Sequence, residues 1–128
     1  MRTTILGAAL AAVLPACAPS ADDSAPPSAG APSSGAIAIT VADFMIDPVD
    51  LTATGPAITF EVTNDGPTPH NFTVRDDAGE LVAATADLSP GESETLSADI
   101  APGAYTIFCS LAGHESLGMG GTLTVTGP

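Results

Sequence analysis

Within eleven residues near the end of the chain, Cys109, His114 and Met119 present a thiol, an imidazole and a thioether in the pattern Cys-x4-His-x4-Met. A second imidazole, His70, lies upstream in Pro69-His70-Asn71-Phe72. Taken singly, each has a bland explanation, since a buried cysteine acts as a small hydrophobe and a lone methionine fills gaps in a core. Together they are a mixed set of soft donors. A thiolate binds copper in both oxidation states, two imidazoles complete a trigonal plane with it, and a thioether at a long axial distance tunes the potential. A structural zinc site more often takes four short ligands from cysteine and histidine, without methionine. His70, Cys109, His114 and Met119 are therefore candidate ligands for one copper ion.

The segments that must position these residues read as strands. Ile37, Ile39 and Val41 alternate with Ala38 and Thr40, and Val49 with Leu51 makes a short second run. Ile58, Phe60 and Val62 alternate with Thr59, Glu61 and Thr63, the clearest period-2 stretch. His70, Phe72 and Val74 share one parity, and Tyr105, Ile107 and Cys109 share another, so His70 and Cys109 are expected to face one interior. Leu96, Ala98 and Ile100, then Leu123 with Val125, complete the apolar faces. Turn signals at Asp47-Pro48, Asn64-Asp65-Gly66-Pro67, Asp76-Asp77-Ala78-Gly79, Ser89-Pro90-Gly91 and Ala101-Pro102-Gly103 separate the runs. The pattern predicts an all-β protein, a β-sandwich of seven to eight short strands over residues 36–128. Residues 76–93 are too polar to assign by pattern.

The first 35 residues have a different character. Arg2 followed by the apolar run Ile5–Leu14 predicts an export signal over 1–17, too short to cross a bilayer as a helix. It ends in Leu14-Pro15-Ala16-Cys17, which resembles a bacterial lipobox apart from Pro15. We expect Cys17 to carry a lipid anchor; cleavage after Ala16-Cys17-Ala18 is the competing outcome and would discard it. Residues 18–35, rich in Pro, Ser, Ala and Gly, predict a disordered tether.

Charge narrows the partners. Fifteen acidic residues stand against two basic ones, and one of those, Arg2, falls in the leader. Nucleic-acid binding, which relies on Lys and Arg neutralising phosphates, is excluded, as is an electrostatic grip on anionic lipid. Contact with a membrane is expected through the N-terminal anchor alone. The acidity suits a basic redox partner such as a cytochrome, or else reflects solubility or a salty medium.

In Pro69-His70-Asn71-Phe72 and in the stretch 103–125, Gly-Ala-Tyr-Thr-Ile-Phe-Cys-Ser-Leu-Ala-Gly-His-Glu-Ser-Leu-Gly-Met-Gly-Gly-Thr-Leu-Thr-Val, the chain resembles the cupredoxins, the type 1 blue copper proteins. The Cys-to-His spacing is similar to that of azurin, and the His-to-Met spacing to that of auracyanin. The resemblance covers about 36–128 and implies a Greek-key sandwich. It implies His70, Cys109 and His114 as equatorial ligands, Met119 as the axial one, and a weak approach by the Pro69 carbonyl. It also implies that the Asn71 amide donates to the thiolate, with Leu111 N–H as a second donor, while the Asn71 side chain braces the loop at Ser110. His114 would be the electron's exit, through an apolar patch of Leu111, Ala112, Leu117 and Gly118. Glu115 departs from the pattern and places a charge beside that exit, where it either selects a basic partner or is an ordinary solvated loop acid.

The function expected is a monomeric carrier of single electrons, exported to the periplasm or the outer face of the membrane. The alternatives are a copper-binding protein for delivery or storage, or a metal-free sandwich for adhesion or substrate capture. An enzyme is not expected, because there is no second metal set and little room for a substrate pocket.

Overall fold

The computed structural model describes residues 35–128. The predicted signal, Cys17 and the tether lie outside the described residues, which contain no helix long and apolar enough to cross a membrane.

Nine strands build two facing sheets. They are β1 (Ile37–Ala42), β2 (Met45–Asp47), β3 (Asp50–Thr54), β4 (Ala57–Asn64), β5 (Thr73–Arg75), β6 (Leu81–Ala84), β7 (Ser93–Asp99), β8 (Gly103–Phe108) and β9 (Gly120–Thr126), with a short 3₁₀ helix at Glu115–Leu117. One sheet has the order β2-β1-β4-β7 and the other β3-β9-β8-β5-β6. Both are mixed: β1 runs parallel to β4 and β3 parallel to β9, and the remaining pairs are antiparallel. The chain changes sheet between β6 and β7 and again between β7 and β8, as a Greek-key sandwich requires. The strand count exceeds the expectation by one or two. The additions are β2, three residues long, and β6, whose Val82 and Ala83 are only half-buried. Neither carries enough apolar alternation to announce itself.

Alternation decides what the sheets bury. Ile58, Phe60 and Val62 on β4 are buried between half-buried or exposed neighbours, as period 2 dictates. From the first sheet they meet Ile39 and Val41, and from the second Val74, Ile107, Leu123 and Val125, in one continuous core. Phe60 and Phe72 pack with ring centroids 5.1 Å apart and planes tilted by 51°, a favourable aromatic arrangement across the sandwich. Tyr105 Oη donates to Ala101 O at 2.7 Å, fixing the entry to β8, the strand that leads to Cys109.

Around His70 the alternation stops. His70, Asn71, Phe72, Thr73 and Val74 are all buried, on both parities. The reason is that His70–Phe72 is not a strand in a two-faced sheet. His70 makes an isolated bridge with Leu88, exchanging His70 N to Leu88 O at 3.1 Å and Leu88 N to His70 O at 2.7 Å. The polar segment after β6 thus folds over the side that alternation would have left in water.

Candidate metal centre

His70 is delivered by a loop that Asn64 organises. Asn64, fully buried at the end of β4, donates through Nδ2 to Thr68 O at 2.8 Å and to Leu88 O at 2.9 Å. Its Oδ1 accepts from Gly66 N at 2.9 Å. Both N–H donors and the oxygen of one amide are thereby satisfied, and the turn 65–69 is held over the end of the sandwich.

Cys109 lies one residue beyond β8 and continues the inward parity of Ile107; both are fully buried. The chain then loops through His114 and returns. Cys109 N donates to Met119 O at 3.1 Å, Met119 N to His114 O at 3.1 Å, and His114 N to Leu111 O at 3.1 Å. These bonds seat the backbones of three candidate ligands on one another. Gly118, at φ 117°, closes the 3₁₀ helix in a left-handed conformation that suits glycine.

The side chains converge. His70 Nδ1 lies 3.2 Å from His114 Nδ1, and Cys109 Sγ lies 3.5 Å from the same nitrogen. The donor atoms of His70, Cys109 and His114 all fall within 4.8 Å of one another. Donors that share one ion at roughly 2.0–2.3 Å stand on the order of 4 Å apart, so a single ion fits among them. Met119 is fully buried in the cluster that holds Cys109. With its thioether, the four residues form a type 1 copper-like site.

Residues 7–125 match the family model described as a cupredoxin-like domain. The chain belongs to that family. Among solved structures, the cupredoxin is similar to dithionite-reduced auracyanin from the photosynthetic bacterium Roseiflexus castenholzii. That pair shares 27% identity over 75% of this chain and 99% of that one, with a TM-score of 0.64. It shares its fold with an azurin (Az-iso2) of the obligate methylotroph Methylomonas sp. strain J, at 20% identity over 73% of this chain and 99% of that one, TM-score 0.64. It also shares it with auracyanin A, a "blue" copper protein of Chloroflexus aurantiacus, at 18% identity over 72% and 100% of the two chains, TM-score 0.60. No curated protein matches the chain.

Several surroundings of the cupredoxin's site match expectation and several do not. Asn71 does brace the ligand loop: its Nδ2 donates to Ser110 Oγ at 2.8 Å and to Asp87 Oδ1 at 2.8 Å, and its Oδ1 accepts from Ser110 N at 2.8 Å. The two expected amide donors to the thiolate, from Asn71 and Leu111, are not among the hydrogen bonds of the described residues. There Sγ pairs with His114 Nδ1 instead.

Glu115 was expected to offer a charge beside His114, but that charge is taken. Arg75 on β5 grips it with both guanidinium nitrogens, Nη1 reaching Oε2 at 3.0 Å and Nη2 meeting Oε1. The pairing holds the Glu115 carboxyl below its usual range and raises Arg75, each through the hydrogen bond first. Arg75 also lies over the Phe108 ring, with Cζ 4.2 Å from the centroid.

The apolar surface beside His114 gains a member that the sequence did not suggest. Phe44, 55% exposed, joins Leu111, Pro69 and His114 around an open concavity of about 500 Å³, with Asp43 and Asp87 on its rim. Leu117, 61% exposed, lies on the 3₁₀ helix that follows His114.

The largest omission is Asp43, on the turn between β1 and β2. Its Oδ1 lies 2.8 Å from His70 Nε2 and accepts from Thr68 Oγ1 at 2.6 Å. These two hydrogen bonds, Thr68's first, hold its carboxyl below the ordinary carboxylate range. Nothing in the sequence around Asp43 marks it, since the contact spans 27 residues and depends on how the turn folds back.

Proposed function

We propose that this protein carries single electrons through one copper ion, held by His70, Cys109 and His114 in the plane and by Met119 axially. The observation that carries the reading is the convergence of a thiolate sulfur and two imidazole Nδ1 atoms within 4.8 Å, with a buried methionine on the same loop. Copper bound there would supply a one-electron couple. The protein supplies a donor set acceptable to both oxidation states, on backbone already fixed by hydrogen bonds, so that little need move when the electron arrives or leaves. His114 is the half-buried member of the set, while the other three are shielded. It is therefore the route for the electron, through the surface formed by Phe44, Leu111 and Leu117.

Delivery or storage of copper is the second reading of the same donors. Transfer of the metal itself calls for open coordination and exchangeable ligands. Exposure of 1% or less at His70, Cys109 and Met119 favours the carrier. We further read the chain as exported, anchored through Cys17, non-enzymatic and monomeric, with a basic redox protein as its partner.

Titrating the purified chain with Cu(II) tests the assignment. One equivalent should give an intense blue colour from thiolate-to-copper charge transfer, reversibly bleached by reductant. A colourless stoichiometric complex would sink it.

A further inference from the structure

His70 is 1% exposed, and both of its ring nitrogens have partners. Nδ1 faces His114 and the thiolate. Nε2 faces the Asp43 carboxylate at 2.8 Å, with Thr68 Oγ1 further off at 3.3 Å. An ionised carboxylate accepts hydrogen bonds and donates none, so the proton of a neutral His70 must sit on Nε2. That leaves a bare lone pair on Nδ1, the atom that points at the proposed metal.

The turn bearing Asp43 is fitted to this task at three places. Thr68, two residues before His70, donates to the same carboxylate oxygen and fixes its direction. Gly66 leaves the space: a Cβ there would stand 3.1 Å from Asp43 N and 3.1 Å from His70 Nε2. Phe44, with φ 62°, turns the chain sharply, and its carbonyl packs 3.1 Å from where a Cβ on Gly118 would be. The β1–β2 turn thus touches the loop of His70 and the loop of Met119 at once.

We propose that Asp43 is a positioning residue of the copper centre: it locks His70 with Nδ1 toward the metal and, through its negative charge, strengthens that imidazole as a donor to Cu(II), lowering the reduction potential. The inference rests on the copper assignment above. Its physical basis is that a carboxylate behind a metal-bound imidazole fixes the ring's orientation and raises its basicity. The added electron density favours the more highly charged ion, so Cu(II) gains more than Cu(I).

Two substitutions in the full chain separate charge from orientation. Asp43→Asn keeps volume and an acceptor oxygen but removes the charge. It should weaken Cu(II) binding about tenfold relative to Cu(I), which for one electron is a rise of ~59 mV in potential. Asp43→Ala removes the acceptor as well. It should lower copper affinity by about 10–100-fold. In the Cu(I) form it should also abolish the slow solvent exchange of the His70 Nε2 proton seen by ¹⁵N NMR. If Asp43→Ala does not fold, Asp43→Asn still carries the test through the potential. An unchanged potential in copper-loaded Asp43→Asn overturns this inference alone. A wild-type chain that takes up no copper overturns the ligand assignment and this inference with it.

Discussion

At the scale of single residues, the donors differ in what each should control. Cys109 supplies the sulfur, so Cys109→Ala should remove the blue absorption entirely; any residual charge-transfer band near full strength would show that another residue binds. Met119 would be the weak axial donor of the proposed centre, and such a donor would help Cu(II) more than Cu(I). Met119→Leu should therefore retain the colour and raise the potential, read by redox titration against the wild type. An unchanged potential would remove Met119 from the axial role. Asn64 matters for a different reason. It touches no donor, but its amide satisfies Thr68 O, Leu88 O and Gly66 N in a fully buried place. Asn64→Ala would leave Gly66 N without its buried partner and Leu88 O with His70 N alone, at a cost of about 1–3 kcal/mol. Chemical denaturation of the copper-free chain should show the loss as a lower midpoint with an unchanged slope.

At the scale of elements, the sequence was legible where a single periodicity governed a strand. Ile58, Phe60 and Val62 are buried as their alternation required, and the parity of Tyr105, Ile107 and Cys109 pointed the thiol inward. It was illegible where burial comes from a distant segment. The stretch 70–74 is buried on both parities. Its partners, the 85–88 segment beside His70 and Phe72 and β6 and β8 beside Thr73 and Val74, are distant in sequence, so no local pattern encodes that. Asp43 and Glu115 illustrate the same limit at the site. Each looks like an ordinary solvated acid in sequence, and each is assigned a task by a partner brought near by the fold, His70 for one and Arg75 for the other. The Arg75–Glu115 pair fastens the ligand loop to β5 from outside. Because its members are 30% and 40% exposed, water screens it, and the coupling between them should be only ~0.2–1 kcal/mol. A double-mutant cycle of Arg75→Ala with Glu115→Gln, followed by thermal unfolding, measures that term. Arg75→Ala should cost more than Glu115→Gln, because it also uncovers the face of Phe108. Equal costs would mean that the stacking contributes nothing.

At the scale of the whole molecule, the pairing of Arg75 changes what the surface offers a partner. Among the described residues Arg75 is the sole Lys or Arg, against thirteen acids, and its charge is committed to Glu115. The surface is thus negative without relief, and Asp43 and Asp87 bring that sign to the rim of the concavity beside His114. Long-range attraction to a positive protein follows, but so does its sensitivity to salt: charges separated by more than the Debye length, ~30 Å at 0.01 M and ~10 Å at 0.1 M, cease to act on one another. Contact at the apolar part of that concavity, lined by Phe44, Pro69 and Leu111, is indifferent to that screening. Steering should therefore govern how often the partners meet, and the apolar surface how closely they settle. Electron exchange with a cytochrome of strongly positive charge, followed by stopped flow, should be fast at low ionic strength. It should fall by about 10-fold or more between 0.01 M and 0.5 M salt. Exchange with an acidic cytochrome should start slowly and rise over the same range, because screening there removes repulsion. If instead both rates are flat in salt, the acidity does not select the partner, and the negative surface serves solubility or a saline medium.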